Sequence, residues 1–190
     1  MNYSEIPNII TLLRILLVVP IVTLLLHEEF SYALLLYTVA GISDGLDGYI
    51  AKRYNYVSRL GSILDPLADK LLLVSTYIVL AWLELLPWWL VLAVILRDLL
   101  IVAGAAAYFF LIGKYEMAPS LISKVNTFAQ IALGLAVVLS QSLQGFMPPW
   151  LTDWLILVVL GTTVVSGVDY VWTWSRRACE ARRANGGNRV

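Results

Sequence analysis

Asp44, Asp47, Asp65 and Asp69 interrupt sequence that is otherwise apolar, and within each pair the spacing is three or four residues. On a helix those spacings place both members of a pair on one face. A carboxylate at the centre of a membrane helix costs about 2.5–3.5 kcal/mol on insertion scales, so burying four of them needs a reason. Gathered together they repel one another and take up protons unless cations neutralise them. Hard divalent cations prefer oxygen ligands, and two Mg²⁺ balance four Asp charge for charge. Two-metal sites bind diphosphates and polarise a phosphoryl group under attack. The plainer alternatives are a proton or ion pathway, or buried Asp–Arg pairs.

The elements that must position these residues are set by composition. Of 190 residues 60% are hydrophobic and only 14% charged, with a mean hydropathy of +0.81. A soluble fold of this size cannot hide so much apolar side chain. Disorder, collagen, and nucleic-acid binding through a basic surface are excluded, and Cys179 alone supports no disulfide framework. An all-α integral membrane protein is expected. Six apolar runs reach the roughly 20 residues a span requires: 8–26, 32–52, 61–83, 88–112, 120–141 and 152–174. The opening MNYSEIP has no basic residue and does not read as a cleavable signal. No solenoid-type repeat is visible.

Charge placement orients the spans. Lys52, Arg53 and Arg59 lie between spans two and three, Lys114 and Lys124 flank the next connection on that side, and Arg176, Arg177, Arg182, Arg183 and Arg189 fill the tail. The opposite connections carry His27, Glu28, Glu29, Glu84 and Asp153 but no Lys or Arg. Both termini are therefore expected in the cytoplasm, with 1–175 as a membrane domain and 176–190 as a frayed basic tail that contacts anionic headgroups. Trp88, Trp89, Trp150 and Trp154 fit an aromatic belt on the far side. At about 1.5 Å per residue, Asp44 and Asp47 lie roughly 12 and 8 Å before Lys52, and Asp65 and Asp69 roughly 6 and 12 Å after Gly61. The connection between spans two and three is short, so the two should be antiparallel neighbours with both Asp pairs facing one cavity near the cytoplasmic headgroups. Gly41 and Gly45 match a helix-packing GxxxG, whereas Gly48 shares the face of Asp44 and Asp47 and would let a ligand approach.

Residues 44–69, DGLDGYIAKRYNYVSRLGSILDPLAD, resemble the signature of the CDP-alcohol phosphatidyltransferases. Asp44, Asp47, Gly48, Ala51, Gly61, Asp65 and Asp69 fall in register; the signature arginine is replaced by Lys52, with Arg53 beside it. A lysine keeps the charge but loses a bidentate grip on phosphate unless Arg53 supplies it. The resemblance implies six helices, cytoplasmic termini, a homodimer, and transfer of a phosphatidyl group from CDP-diacylglycerol to an alcohol with release of CMP. It also implies that the four Asp hold two divalent cations, Mg²⁺ or Mn²⁺, and that Asp69 doubles as the base for the attacking hydroxyl. Gly48, Ala51, Lys52 and Gly61 would line the cytidine diphosphate site.

PNIITLLR resembles the opening of the family's phosphatidylglycerophosphate and cardiolipin synthases. Asn8, Thr11 and Arg14 recur at three-residue steps, a polar stripe assigned to donor binding. Arg14, about 9 Å into the helix, needs a partner: nucleotide phosphate, one of the four aspartates, or Asp169. Arg97 with Asp98, and Ser123-Lys124-Val125-Asn126-Thr127, form further clusters on the cytoplasmic side. Arg97, Lys124 and Thr127 are the candidates for holding the acceptor and its phosphate; an Arg97–Asp98 pair and a snorkelling Lys124 are the alternatives.

ILRDLLIVAG and APSLISKVNTFAQ resemble CMP-forming cardiolipin synthases, whose acceptor is phosphatidylglycerol. The related glycerol 3-phosphate enzymes typically carry Lys where Asn126 stands and Glu where Asp98 stands. The missing second lysine favours a singly charged acceptor. Transfer to glycerol 3-phosphate is the second reading. A divalent-cation transporter is the third, although transport sites favour the midplane and repeated or broken helices. With no targeting segment read at the start, a bacterial inner membrane is the expectation, and a processed organellar protein is the alternative.

Overall fold

In a computed structural model the chain is described over residues 6–54, 61–112, 121–143 and 147–186, with side chains at 11–43, 67–104, 121–143, 147–173 and 176. The described residues form six helices: α1 (Ile6–Leu26), α2 (Phe30–Tyr54), α3 (Gly61–Trp82), α4 (Trp88–Ile112), α5 (Leu121–Ser142) and α6 (Pro149–Gly186). No strand occurs among them. Residues 121–142 and 149–173 are long and apolar enough to cross a membrane, and 11–26 and 30–43 are shorter apolar stretches. Large apolar side chains such as Leu16, Val19, Leu96, Val102, Phe128 and Trp172 stand exposed. Exposed apolar surface on this scale marks a membrane or partner contact.

α6 corrects one expectation. It runs unbroken into the tail as far as Gly186, rather than fraying at 176. The sequence SRRACEARRA is rich in Ala, Arg and Glu, which favour helix intrinsically.

α1 packs on α2 and α3, α5 on α2, α3 and α6, and α4 on α3 and α6. Among the described residues, α2 and α3 do not pack directly on each other; each leans on α1 and α5. Where their side chains are described, the two helices face one cavity from opposite sides; the expected pairing next to their connection falls on side chains outside the described residues. Tyr77 on α3 donates to the Gln130 carbonyl of α5 at 2.8 Å. Tyr37 of α2 reaches the same stretch of α5: a Cβ at Gly134 would stand in ordinary contact with the Tyr77 ring at 3.5 Å and the Tyr37 hydroxyl at 3.8 Å.

The bundle has two chemically different ends. At one, Ser31 beginning α2 meets Ser142 ending α5 at 3.0 Å, and Trp88 and Trp89 lie across a cavity from Asp153. Here α1 and α3 terminate alike. Glu29 N–H donates to the Leu24 carbonyl and Glu28 N–H to that of Leu25; Leu85 and Glu84 repeat the pattern with Leu80 and Ala81. This is the Schellman arrangement, which needs a left-handed residue that is usually glycine. Glutamate occupies it twice, with φ of 59° at Glu28 and 60° at Glu84. The opposite end gathers Arg14, Asp69, Lys70, Arg97 and Asp98.

Candidate active site

The buried face of α1 is the stripe Thr11, Arg14, Val18, Ile21 and Leu25, at helical steps of three and four. Arg14, only 2% exposed, therefore points inward. Its Nη1 donates to Asp69 Oδ1 at 2.7 Å, joining α1 to α3. Of the partners open to Arg14 from the sequence, the structure shows Asp69. The carboxylate itself is half-exposed, at 48%. Arg14, Asp69 and Lys70 share the wall of a cavity of about 110 Å³ with Tyr37, Ala40 and Gly41 of α2 and Thr127 and Ile131 of α5. At about 30 Å³ per liquid water this volume suits a few waters or one small polar group.

Beside it runs a second polar network. Asp98 accepts from Lys70 Nζ at 2.5 Å through Oδ2 and from Arg97 Nη1 at 2.8 Å through Oδ1. Arg97 also donates to Ser123 through Nη2 at 2.7 Å, and to Ser166 through Nε and Nη2. One carboxylate and one guanidinium thereby tie α3, α4, α5 and α6 together. Arg97 is 4% exposed and does not line the cavity of Asp69.

α5 turns its candidates in different directions. Thr127 lines the cavity, its hydroxyl bonded to the Ser123 carbonyl of its own helix at 3.1 Å. Lys124 is exposed. Asn126 is fully buried, and its Oδ1 accepts from Thr162 and Thr163 of α6 at 2.9 Å each. It faces α6 and does not line the cavity.

Thr11, Arg14, Asp69, Arg97, Lys124 and Thr127 are thus placed. The side chains of Asn8, Asp44, Asp47, Gly48, Ala51, Lys52, Gly61 and Asp65 lie outside the described residues, although all eight positions belong to helices α1, α2 or α3. Positions 37 and 40 line the cavity from α2, and steps of four and three carry the same helical line to 44 and 47. From 69 on α3 one step back of four reaches 65. Sequence reasoning missed Tyr37 and Lys70. The first sits two turns before Asp44 and the second next to Asp69, so position was the available signal.

Among the described residues no group of three or more metal-ligating side chains comes together. Asp69 is the member of the quartet that is described. The quartet as a set is oxygen-only, which fits a hard divalent cation such as Mg²⁺ or Mn²⁺ and not a thiolate- or imidazole-selecting metal. Two other hollows lie apart from it. One of about 680 Å³ occupies the far end, around Trp88, Trp89 and Asp153. A groove of about 490 Å³ runs along α4 and α6 between Leu96, Leu100, Val164, Val168 and Trp172.

A bundle whose described residues are helical, with a paired aspartate and arginine at one end, in a chain that carries the double-Asp signature in its sequence, agrees with the class the sequence resembled. Residues 4–167 match the family model for CDP-alcohol phosphatidyltransferase, and the chain belongs to that family. A CMP-forming cardiolipin synthase of Rattus norvegicus is 38% identical over 151 residues, covering 70% of this chain and 49% of the relative. One from Streptomyces coelicolor is 42% identical over 107 residues, 52% of this chain and 50% of the relative. The chain spans about half the length of these curated relatives. A CDP-diacylglycerol–glycerol-3-phosphate 3-phosphatidyltransferase of Bacillus subtilis is 32% identical over 183 residues, 87% of this chain and 93% of the relative.

Proposed function

We propose that the chain is a six-span membrane enzyme that transfers the phosphatidyl group of CDP-diacylglycerol to phosphatidylglycerol, giving cardiolipin and CMP. The observation that carries the reading is the Arg14–Asp69 pair on a cavity wall, on the helical line of the signature aspartates. The names and identities of the cardiolipin synthase relatives support the acceptor. Each helix has at least 21 residues, about 31 Å at 1.5 Å per residue, enough to cross a bilayer core. The far end is free of Lys and Arg, which supports a cytoplasmic site in a bacterial inner membrane. A homodimer is part of the proposal.

Asp44, Asp47, Asp65 and Asp69 would hold two divalent cations, which when bound offset the diphosphate charge and polarise the phosphorus. Asn8, Thr11, Arg14, Gly48, Ala51, Lys52 and Gly61 would take the donor, and Lys124 and Thr127 the acceptor side. Arg97, buried and bonded to Asp98, Ser123 and Ser166, would support that side from inside the bundle rather than touch the acceptor. Arg14 fixes the orientation of the Asp69 carboxylate. Asp69 accepts the proton of the terminal glycerol hydroxyl while that oxygen bonds to the β-phosphorus. The bond from that phosphorus to the bridging oxygen breaks, and CMP leaves with its electron pair. The half-exposure of Asp69 allows the proton to pass on to water or CMP.

The near full-length match to the Bacillus subtilis relative favours a second reading, transfer to glycerol 3-phosphate by the same site. CMP release by purified protein, with each acceptor offered separately, decides between them. Turnover with phosphatidylglycerol alone supports cardiolipin synthesis; turnover with glycerol 3-phosphate alone replaces the acceptor. EDTA should silence either reaction and Mg²⁺ or Mn²⁺ restore it, and metal-independent turnover would count against the cation site.

A further inference from the structure

Arg97 is the obvious cation to meet an acceptor's phosphate, yet its donors are already committed to Asp98, Ser123 and Ser166 inside the bundle. Its side chain is 5% exposed, whereas that of Lys70, on the far side of Asp98, is 36% exposed. Lys70 and Asp69 are neighbours on the same cavity wall. An ammonium has three N–H donors, and Asp98 takes one. Asp98 is itself immobilised, because Arg97 grips its other oxygen and is anchored by two serines on α5 and α6. The two cations and one carboxylate leave a net charge of +1, presented at Lys70.

We propose that Lys70 is the group that recognises the acceptor's phosphate, and that Asp98, backed by Arg97, is the positioning residue that holds the ammonium beside Asp69. This rests on the phosphatidyl-transfer reading and adds to it the residue that binds the acceptor's phosphate. The anion recognised is the phosphate that acceptors of either kind carry, the phosphodiester of a lipid headgroup or the phosphomonoester of a free glycerol phosphate. Held beside Asp69, it brings a hydroxyl on the same molecule within reach of the base.

The test uses the full chain in mixed micelles, with phosphatidylglycerol and glycerol 3-phosphate as separate acceptors. Lys70→Gln should raise the acceptor KM about 10- to 100-fold, the loss expected for a charge-assisted hydrogen bond, with the CDP-diacylglycerol KM little changed. Lys70→Arg should recover most of that loss. Asp98→Asn should raise the acceptor KM in the same direction, and adding it to Lys70→Gln should add little, because it acts through Lys70. If Asp98→Asn does not fold, the two Lys70 variants decide alone. An unchanged acceptor KM in Lys70→Gln, or equal rises in both KM values, overturns the proposal. Equilibrium binding of each acceptor without donor separates this from the activity reading. Should the wild type release no CMP with either acceptor, phosphatidyl transfer fails, while weaker acceptor binding by Lys70→Gln still supports the role of Lys70 and equal binding overturns it. The acceptor whose binding weakens identifies the source of the phosphate.

Discussion

Asp98 has one well-buried partner and one half-exposed partner, and replacing it with leucine should reveal the difference. Lys70, with 36% of its side chain exposed, rehydrates when its carboxylate is removed, at a cost of about 0–1 kcal/mol. Arg97, with 5%, cannot. Removing one member of a buried pair typically costs about 3–5 kcal/mol, because the remaining charge is left uncompensated. The hydroxyls of Ser123 and Ser166 still solvate the guanidinium, so the expected loss lies near the lower bound. About 3 kcal/mol corresponds to roughly 150-fold in the folding equilibrium. Adding Arg97→Met removes the stranded charge and should return the protein to within about 1–2 kcal/mol of wild type, as hydrophobic replacement of a buried pair often does. Unfolding in mixed micelles with rising SDS, followed by far-UV circular dichroism, measures all three proteins. A single variant costing less than about 1 kcal/mol, or a double variant no better than the single, would refute the reasoning.

Asp69→Asn should lower CMP release at least about 100-fold, the low end for losing a general base, in a protein that still folds but is less stable, because buried Arg14 keeps a hydrogen bond and loses its counter-charge. The amide oxygen can still accept from Arg14, so a variant that retains turnover would remove Asp69 from the mechanism. Asn126→Lys should not improve use of glycerol 3-phosphate, although the sequence comparison alone implies that it would. It sets an ammonium in a fully buried position against α6, at a cost of several kcal/mol; wild-type stability with a lower glycerol 3-phosphate KM would mean that Asn126 faces the acceptor. Glu28→Gly and Glu84→Gly relieve left-handed backbone conformations worth about 1–2 kcal/mol each, offset by about 0.5–1 kcal/mol of glycine chain entropy. Each should raise stability modestly in the same SDS titration, and a loss would show that the glutamate side chains stabilise those turns.

The sequence was enough to mark out the helices. Its apolar runs end where polar and Pro-rich stretches begin, and the spans read at 61–83 and 88–112 became helices at 61–82 and 88–112. Family membership was equally legible, because its motif is local, with register kept over residues 44–69. Helix continuation to Gly186 was present in the propensities but was obscured by the charge of the tail. The left-handed Glu28 and Glu84 had no signal, since the usual glycine is absent.

Side-chain direction was decided by tertiary packing. Asn126 and Thr127 are consecutive, yet one is sealed against α6 and the other lines the cavity, because a helix turns about 100° between neighbours. Likewise Arg97 and Lys70 carry the same charge, but Asp98 meets one inside the bundle and the other at its edge. Types and spacing within a helix follow from the covalent chain. Which cation is spent on holding helices together, and which stands beside Asp69, depends on how α3, α4, α5 and α6 pack, and those contacts join residues far apart in sequence.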